Sequence, residues 1–328
     1  MQPPLFVHFQ KTLMSDSLNS LKQFLEPNIH LSFGQKIDQP ESTSILVDGY
    51  PTRELIATLP ALKQLIISWA GVAPETITLV RDFPNVSIHN SHHNSLPVAE
   101  YALALFLTAT QFIIPVDQAL RNHNWLLCYK GTPEVSITDK FALILCFGNI
   151  AQALLLTRFD IYIMAMRNST CRPILDGTDM VFPSNSLRDL LTKTDFFLVT
   201  LPLHLSTGDP ILKKEMALLS NQAVITNADR DESTGQATLY FTFKSKEIFA
   251  AGIDVWCNYP ESKGKIKNTA LANFLFHNSD SVVMSPHRAG NFNQKETETR
   301  KIDQLACLIN QAANELPMVN QVNLDKGY

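Results

Sequence analysis

Residues 141–151 read Phe-Ala-Leu-Ile-Leu-Cys-Phe-Gly-Asn-Ile-Ala, and their reading decides the fold. Phe141–Cys146 is an unbroken apolar run of strand length. Such runs mark strands buried on both faces, the situation of a parallel sheet covered by helices. Asn149–Thr157 follows with helical composition. The same alternation continues downstream. Ile161–Ala165, Phe196–Thr200, Ala223–Thr226, Phe249–Asp254 and Val282–Met284 read as strands. Leu187–Leu191, Lys213–Leu219 and Leu239–Phe243 read as helices between them. Regular βα alternation predicts an α/β fold with a doubly wound parallel sheet.

Upstream the pattern is shorter and less regular. Leu5–Phe9, Ser44–Val47, Leu65–Ser68 and Val86–His89 read as strands, Leu18–Leu25 as a helix, and Leu59–Leu62 as the start of a short helix. An apolar helix, Ala99–Phe112, is preceded by Leu96-Pro97 and followed by helix-like Val116–Asn122. Proline suits an early helical position, where its missing N–H is not needed. The last helix, Asn293–Asn314, is amphipathic.

Composition narrows the classes. Only 12 of 328 residues are Gly, where about 23 are expected at ordinary usage. Collagen-like and Gly-rich low-complexity chains are excluded. A net charge of −4 with no run of Lys or Arg argues against a general nucleic-acid binder. The five cysteines are scattered and form no CxxC, as in a chain with reduced thiols. The start, Met1-Gln-Pro-Pro-Leu5, has no basic n-region or long apolar h-region, so no secretory leader and a cytoplasmic location are expected. The Pro97–Pro115 stretch carries Glu100 and Gln111 and reads as a buried helix, not a membrane span.

The turn after Phe141–Cys146 occupies the place of a Gly-x-Gly-x-x-Gly dinucleotide loop, here Cys146-Phe147-Gly148-Asn149-Ile150-Ala151. The three glycines of that pattern serve, in turn, a tight turn, close approach to pyrophosphate, and close helix–strand packing. Only Gly148 is kept; Ala151 is a small substitute, and Cys146 crowds the turn. An ordinary strand-to-helix turn and a nucleotide loop both fit these six residues. Their position at the head of a βαβαβ series, where a helix N-terminus can receive phosphate, favours the second. The next strand runs into Arg167-Asn168-Ser169 instead of an Asp or Glu for ribose hydroxyls. A guanidinium can pair with a 2′-phosphate, so NADP is favoured over NAD.

Three later segments each follow a predicted strand: Asn227-Ala228-Asp229-Arg230, Ile253-Asp254-Val255-Trp256-Cys257-Asn258-Tyr259-Pro260, and Ser285-Pro286-His287-Arg288-Ala289-Gly290. With "NSHHNSLPVAEYALAL" at 90–105, "LRNHNW" at 120–125, "TLPLHLST" at 200–207 and the closing "VNLDKGY", they resemble the D-isomer-specific 2-hydroxyacid dehydrogenase family, related to phosphoglycerate dehydrogenases and glyoxylate and hydroxypyruvate reductases. The resemblance covers essentially the whole chain.

The resemblance implies a Rossmann dinucleotide-binding domain over 98–291. It also implies a smaller flavodoxin-like α/β substrate domain from 1–97 and 292–328, with hinges near Pro97 and Asn291. It implies catalysis by Arg230, which grips the substrate carboxylate and carbonyl, and by His287, which exchanges the proton. Tyr259 stands where the family has a glutamate that orients the histidine. Phe147, Gly148, Asn149, Ile150, Arg167, Asn168, Leu201, Pro202, Ala228, Asp254, Ala289 and Gly290 are implied to bind NAD(P), with Asp254 at the nicotinamide carboxamide. The backbone of Ala70, Gly71 and Val72 is implied to hold the substrate carboxylate. No metal is implied: the His89, His92, His93 cluster has no partners at metal spacing. Relatives are dimers through the apolar helix region, so a homodimer is implied, without membrane or nucleic-acid partners.

The chemistry is coherent. Reducing a 2-keto acid needs a hydride and a proton for the new alkoxide, and histidine suits proton exchange near neutral pH. A guanidinium fork matches a carboxylate. Two departures bear on activity. Tyr259 when neutral cannot raise the histidine pKa as a carboxylate would, so reduction is expected to fall off at lower pH than in glutamate-containing relatives. Asp231, where the family has Gly, puts a carboxylate beside Arg230. With Cys146 in the phosphate loop as a third departure, the alternative reading is a catalytically impaired relative that keeps the fold and acts as a nucleotide-binding or regulatory protein.

Overall fold

The computed structural model describes residues 3–131, 133–145, 148, 150, 159–167, 172–176, 179–200, 213–228, 235–267, 269–290 and 295–327. The chain forms two compact units, Met1–Asn94 with Asn291–Tyr328, and Ser95–Gly290.

The first unit holds a five-stranded sheet of β1 (Leu5–Phe9), β2 (Ile29–Phe33), β3 (Thr43–Val47), β4 (Gln64–Ile67) and β5 (Ser87–Asn90), in the order β2-β1-β3-β4-β5. Every pairing is parallel. Successive strand side chains point to opposite faces, which divides each apolar run between two cores. Val7, Phe9, Ile45, Val47 and Ile66 meet Ile302, Leu305 and Ile309 of the C-terminal helix Lys295–Ala313. Leu46, Leu65, Ile67 and Ile88 meet Ile56, Leu59, Leu62 and Val80 on the other face. The two chain ends thus build one fold.

Three elements here depart from the sequence reading. The short helix is Arg53–Ala57, not a helix starting at Leu59. Thr52 starts it by accepting the Leu55 N–H at 3.2 Å, and Leu59 and Leu62 are buried plugs on the turn that follows. Strand β2 escapes detection because only partial burial holds it on the sheet edge. The helix Pro74–Val80 is a further element that the sequence pattern does not predict.

The second unit holds an eight-stranded sheet. Its strands are β6 (Phe141–Leu145), β7 (Tyr162–Met166), β8 (Ile174–Asp176), β9 (Asp179–Phe182), β10 (Phe196–Val199), β11 (Val224–Asn227), β12 (Ala250–Ile253) and β13 (Val282–Met284). The order is β13-β12-β11-β10-β6-β7-β9-β8. All pairings are parallel except β8–β9, an antiparallel edge hairpin that the sequence pattern does not predict. Ala142, Ile144, Phe196, Leu198 and Val224 face the helix Ser95–Thr110 through its Ala99, Ala102, Phe106 and Ala109. Phe106 meets Phe196 edge-on, centroids 4.9 Å apart. Leu143, Leu145, Phe197, Val199 and Ile225 face Leu190, Leu191 and Leu239 on the other side. The helix Ser95–Thr110 lies so close to β12 that a Cβ built on Gly252 would stand 3.0 Å from the Leu105 Cβ. Among the described residues, no single helix is long and apolar enough to cross a membrane.

From β6 the chain lays β7, β9 and β8 on one side, then crosses back to add β10 to β13 on the other. The order reverses between β6 and β10. In open α/β sheets, ligands bind outside the carboxyl ends of the strands at such a switch point.

Candidate active site

The described residues among the sites named from the sequence in the second unit lie at or after those carboxyl ends. Strand β6 ends at Leu145, Gly148 lies in the following bend, and Ile150 is helical and packs on the adjacent core. Arg167 directly follows β7, with its N–H on the Phe182 carbonyl at 3.0 Å. Ala228 follows β11 and is buried. Asp254 follows β12, and the 285–290 segment follows β13. Phe147, Asn149, Asn168, Leu201, Pro202 and Arg230 lie outside the described residues, as do Cys146, Ala151 and Asp231. The residues that are described fit a dinucleotide: small Gly148, Ala228, Ala289 and Gly290 at the strand ends, and a cation, not a carboxylate, after β7.

The best-defined part is the His287 loop. Ser285 continues β13, its N–H bonding the Ile253 carbonyl at 2.8 Å. Asp254 is fully buried, and its carboxylate accepts the N–H of Arg288 (2.8 Å, Oδ1), the N–H of Ala289 (2.8 Å, Oδ2) and the Ser285 hydroxyl. Its carbonyl accepts the His287 N–H at 2.8 Å. His287 itself has φ 56°, a left-handed conformation that a side chain disfavours and that must be held from outside. The buried Asp254 carboxylate therefore ties down the loop that carries His287 with three hydrogen bonds.

Tyr259 reaches the same place. Its ring lies 5.4 Å from the His287 ring, centroid to centroid, at a 51° tilt. Its hydroxyl accepts the Trp256 N–H at 3.2 Å. Trp256 in turn donates Nε1–H to the Ser285 carbonyl at 2.7 Å. Trp256, Ser285 and Tyr101, which contacts Ser285, are neighbours of this loop that the sequence does not single out as site residues. A signal exists for the first two, which lie within the "IDVW" and "SPHRAG" segments.

In the first unit, Ala70, Gly71 and Val72 follow β4 and are half-buried. Buried Asn90 donates Nδ2–H to the Ala70 carbonyl at 2.7 Å, and the Ser91 N–H meets the Trp69 carbonyl at 3.4 Å. The loop is thereby tied to the end of β5. The nearby histidines are structural in their contacts. His89 lies between Ser87 Oγ (3.0 Å) and the Val319 carbonyl (2.9 Å). His93 Nδ1 is 3.0 Å from Ser91 Oγ, and Gln304 Oε1 accepts from Ser91 Oγ and the His92 N–H. Burial lowers the pKa of all three; for His93, burial with the Lys301 charge pushes it down to about 4. Among the described residues no group of three His, Cys, Asp or Glu could hold a metal ion.

Residues 103–289, more than half the chain, match the model of the NAD-binding domain of D-isomer specific 2-hydroxyacid dehydrogenases. The chain belongs to this family. This 2-hydroxyacid dehydrogenase homologue is 30% identical over 267 residues to D-3-phosphoglycerate dehydrogenase of Mycobacterium tuberculosis, covering 76% of this chain and 48% of that protein. The chain thus spans about half the length of the mycobacterial relatives it matches. It is 25% identical over 261 residues to hydroxypyruvate reductase of Thermotoga maritima, covering 79% of this chain and 81% of that one. Its fold matches the NADPH-dependent glyoxylate/hydroxypyruvate reductase of Sinorhizobium meliloti, solved with NADP and sulfate. The TM-score is 0.78 at 18% identity, over 99% of this chain and 100% of that one.

Proposed function

We propose that this dehydrogenase homologue reduces small 2-keto acids, such as glyoxylate or hydroxypyruvate, to D-2-hydroxy acids with NAD(P)H. The observation that carries the reading is the His287 loop, held by a fully buried Asp254 at the carboxyl ends of β12 and β13. A proton donor is useful only when aimed, and this loop aims one. Bound NAD(P)H would supply the hydride. His287 would deliver the proton to the oxygen of the reduced carbonyl. Arg230 would hold the substrate carboxylate and carbonyl in its guanidinium fork, and the Ala70–Gly71–Val72 backbone would bind the carboxylate. Tyr259 would orient the imidazole.

Residues 98–291 are read as the dinucleotide-binding domain, and 1–97 with 292–328 as the substrate domain. Gly148, Ile150, Ala228, Ala289 and Gly290 are assigned to the nucleotide, together with Phe147, Asn149, Asn168, Leu201 and Pro202. Arg167 supports NADP over NAD, because a cation suits a 2′-phosphate. A cytoplasmic homodimer completes the reading. The apolar residues of Ser95–Thr110 are largely consumed inside the unit. Exposed Ile113 and Ile114 on the helix Ile113–Arg121, Leu126 and Tyr129 on the helix Leu126–Lys130, and Trp125 at the latter's N-cap offer the dimer surface.

One observation favours a second reading. Tyr259 stands at the family's glutamate position and brings a neutral ring to His287. On that reading the protein binds nucleotide without turnover. Fluorescence titration with NADH and NADPH, then assays with glyoxylate and hydroxypyruvate, separate the two. Turnover abolished by Arg230→Ala and by His287→Ala supports the reductase; binding without turnover supports the second reading.

A further inference from the structure

Ser285 Oγ has two oxygen neighbours, Asp254 Oδ1 and the Tyr101 hydroxyl, the latter at 2.9 Å. A serine hydroxyl carries one proton, and a carboxylate can only accept. The Ser285 proton therefore goes to Asp254, and Tyr101 donates its own proton to Ser285 Oγ. The result is a one-way chain, Tyr101 to Ser285 to Asp254, drawn from the helix Ser95–Thr110 and from the loops after β13 and β12. Asp254 and Ser285 are both buried, so solvent does not stand ready to replace a lost donor. The chain ends on the carboxylate whose two oxygens also hold the N–H groups of Arg288 and Ala289, the two residues that follow His287. The Trp256 indole fixes the Ser285 carbonyl from the other side.

We infer that Tyr101 and Ser285 are positioning residues for His287: they orient the Asp254 carboxylate, which sets the left-handed turn that aims the imidazole. The inference rests on the reductase reading for its kinetic consequence, but its structural half stands without it. Neither hydroxyl touches the reacting atoms in this scheme. Their removal should lower kcat while leaving KM and coenzyme affinity in place.

The test compares Tyr101→Phe, Ser285→Ala and Ser285→Thr in the full chain. Amide hydrogen exchange at residues 287–289 is measured without ligand, and kcat, KM and the NADPH dissociation constant are measured with hydroxypyruvate. Exchange at Arg288 and Ala289 should accelerate roughly ten-fold in Ser285→Ala and roughly three-fold in Tyr101→Phe, with Ser285→Thr near wild type. The value of kcat should fall by similar factors, with KM and coenzyme affinity within about two-fold. Unchanged exchange in both Tyr101→Phe and Ser285→Ala would overturn the inference. So would a Ser285→Thr variant as impaired as Ser285→Ala, or a lowered Tm with unchanged kcat, which would make the contacts merely structural. If wild type shows no turnover, the reductase reading fails, and the exchange data still decide whether the chain holds the loop.

Discussion

Asp254→Asn is the sharpest single perturbation of the site. In wild type, Oδ1 accepts from Ser285 and Arg288, and Oδ2 accepts from Ala289. An asparagine keeps one acceptor oxygen. With that oxygen at the Oδ1 place, its NH2 faces the Ala289 N–H, donor against donor. Flipped, it opposes two donors. The better orientation therefore loses one bond outright and strips the charge from the other two. Hydrogen bonds to a charged group contribute about 1.5–3 kcal/mol each against about 1 kcal/mol for neutral ones, and a buried donor left unmet costs about 1–3 kcal/mol. The loss should be about 3–5 kcal/mol. The second unit spans Ser95–Gly290. For a domain of about this size each kcal/mol moves Tm by about 2–4 °C, so Tm should fall by roughly 6–20 °C. Thermal and urea unfolding of the ligand-free protein measure this, with an unchanged m value confirming a stability effect. A Tm within about 2 °C of wild type would refute the reasoning that Asp254 is spent on the loop.

Other contacts can be tested one at a time. Tyr259→Glu should place a carboxylate beside His287 and raise its pKa, so the alkaline limit of ketoacid reduction should move up by about one pH unit; an unmoved pH–rate profile removes Tyr259 from the imidazole's surroundings. His93, with a pKa of about 4 folded against 6.5 ordinarily, stays neutral in the fold while the unfolded chain takes a proton below about pH 6.5. Its contribution is full above that pH and lost between about 6.5 and 4, about 1–2 kcal/mol given partial exposure, and His93→Gln should flatten stability over this window in pH-dependent urea melts. Gly252→Ala should destabilise by about 1–3 kcal/mol, read from urea midpoints, because the helix Ser95–Thr110 must retreat from β12. Arg167→Ala should weaken NADPH binding roughly ten-fold and leave NADH within about two-fold; equal losses in a fluorescence titration would reject the 2′-phosphate contact.

The central strands of both sheets are legible because burial on two faces writes them as unbroken apolar runs, as in Phe141–Leu145 and Phe196–Val199. Edge elements are not. Strand β2 is only partly buried, and the β8–β9 hairpin is too short for periodicity to register. The Leu59–Leu62 segment misleads because apolar residues at helical spacing also serve as plugs on a turn. His287, Tyr259 and Asp254 are legible as residues through their segments, and the structure adds what each touches. Tyr101 is out of reach of local reading: it meets Ser285 across 184 positions, and only the sheet order brings the two together. The glycine shortage also takes on a more definite meaning, for Gly252 survives where a helix crosses a strand with no room for a side chain.

The most direct test of the reductase account is a single-turnover experiment. Enzyme loaded with NADPH is mixed with hydroxypyruvate, and loss of reduced-nicotinamide absorbance is followed for wild type and His287→Ala. The account predicts a fast single-turnover phase in wild type, slowed at least about 100-fold in His287→Ala while NADPH affinity stays within about two-fold. Equal rates in the two proteins, or no hydride transfer in wild type despite bound NADPH, would contradict it.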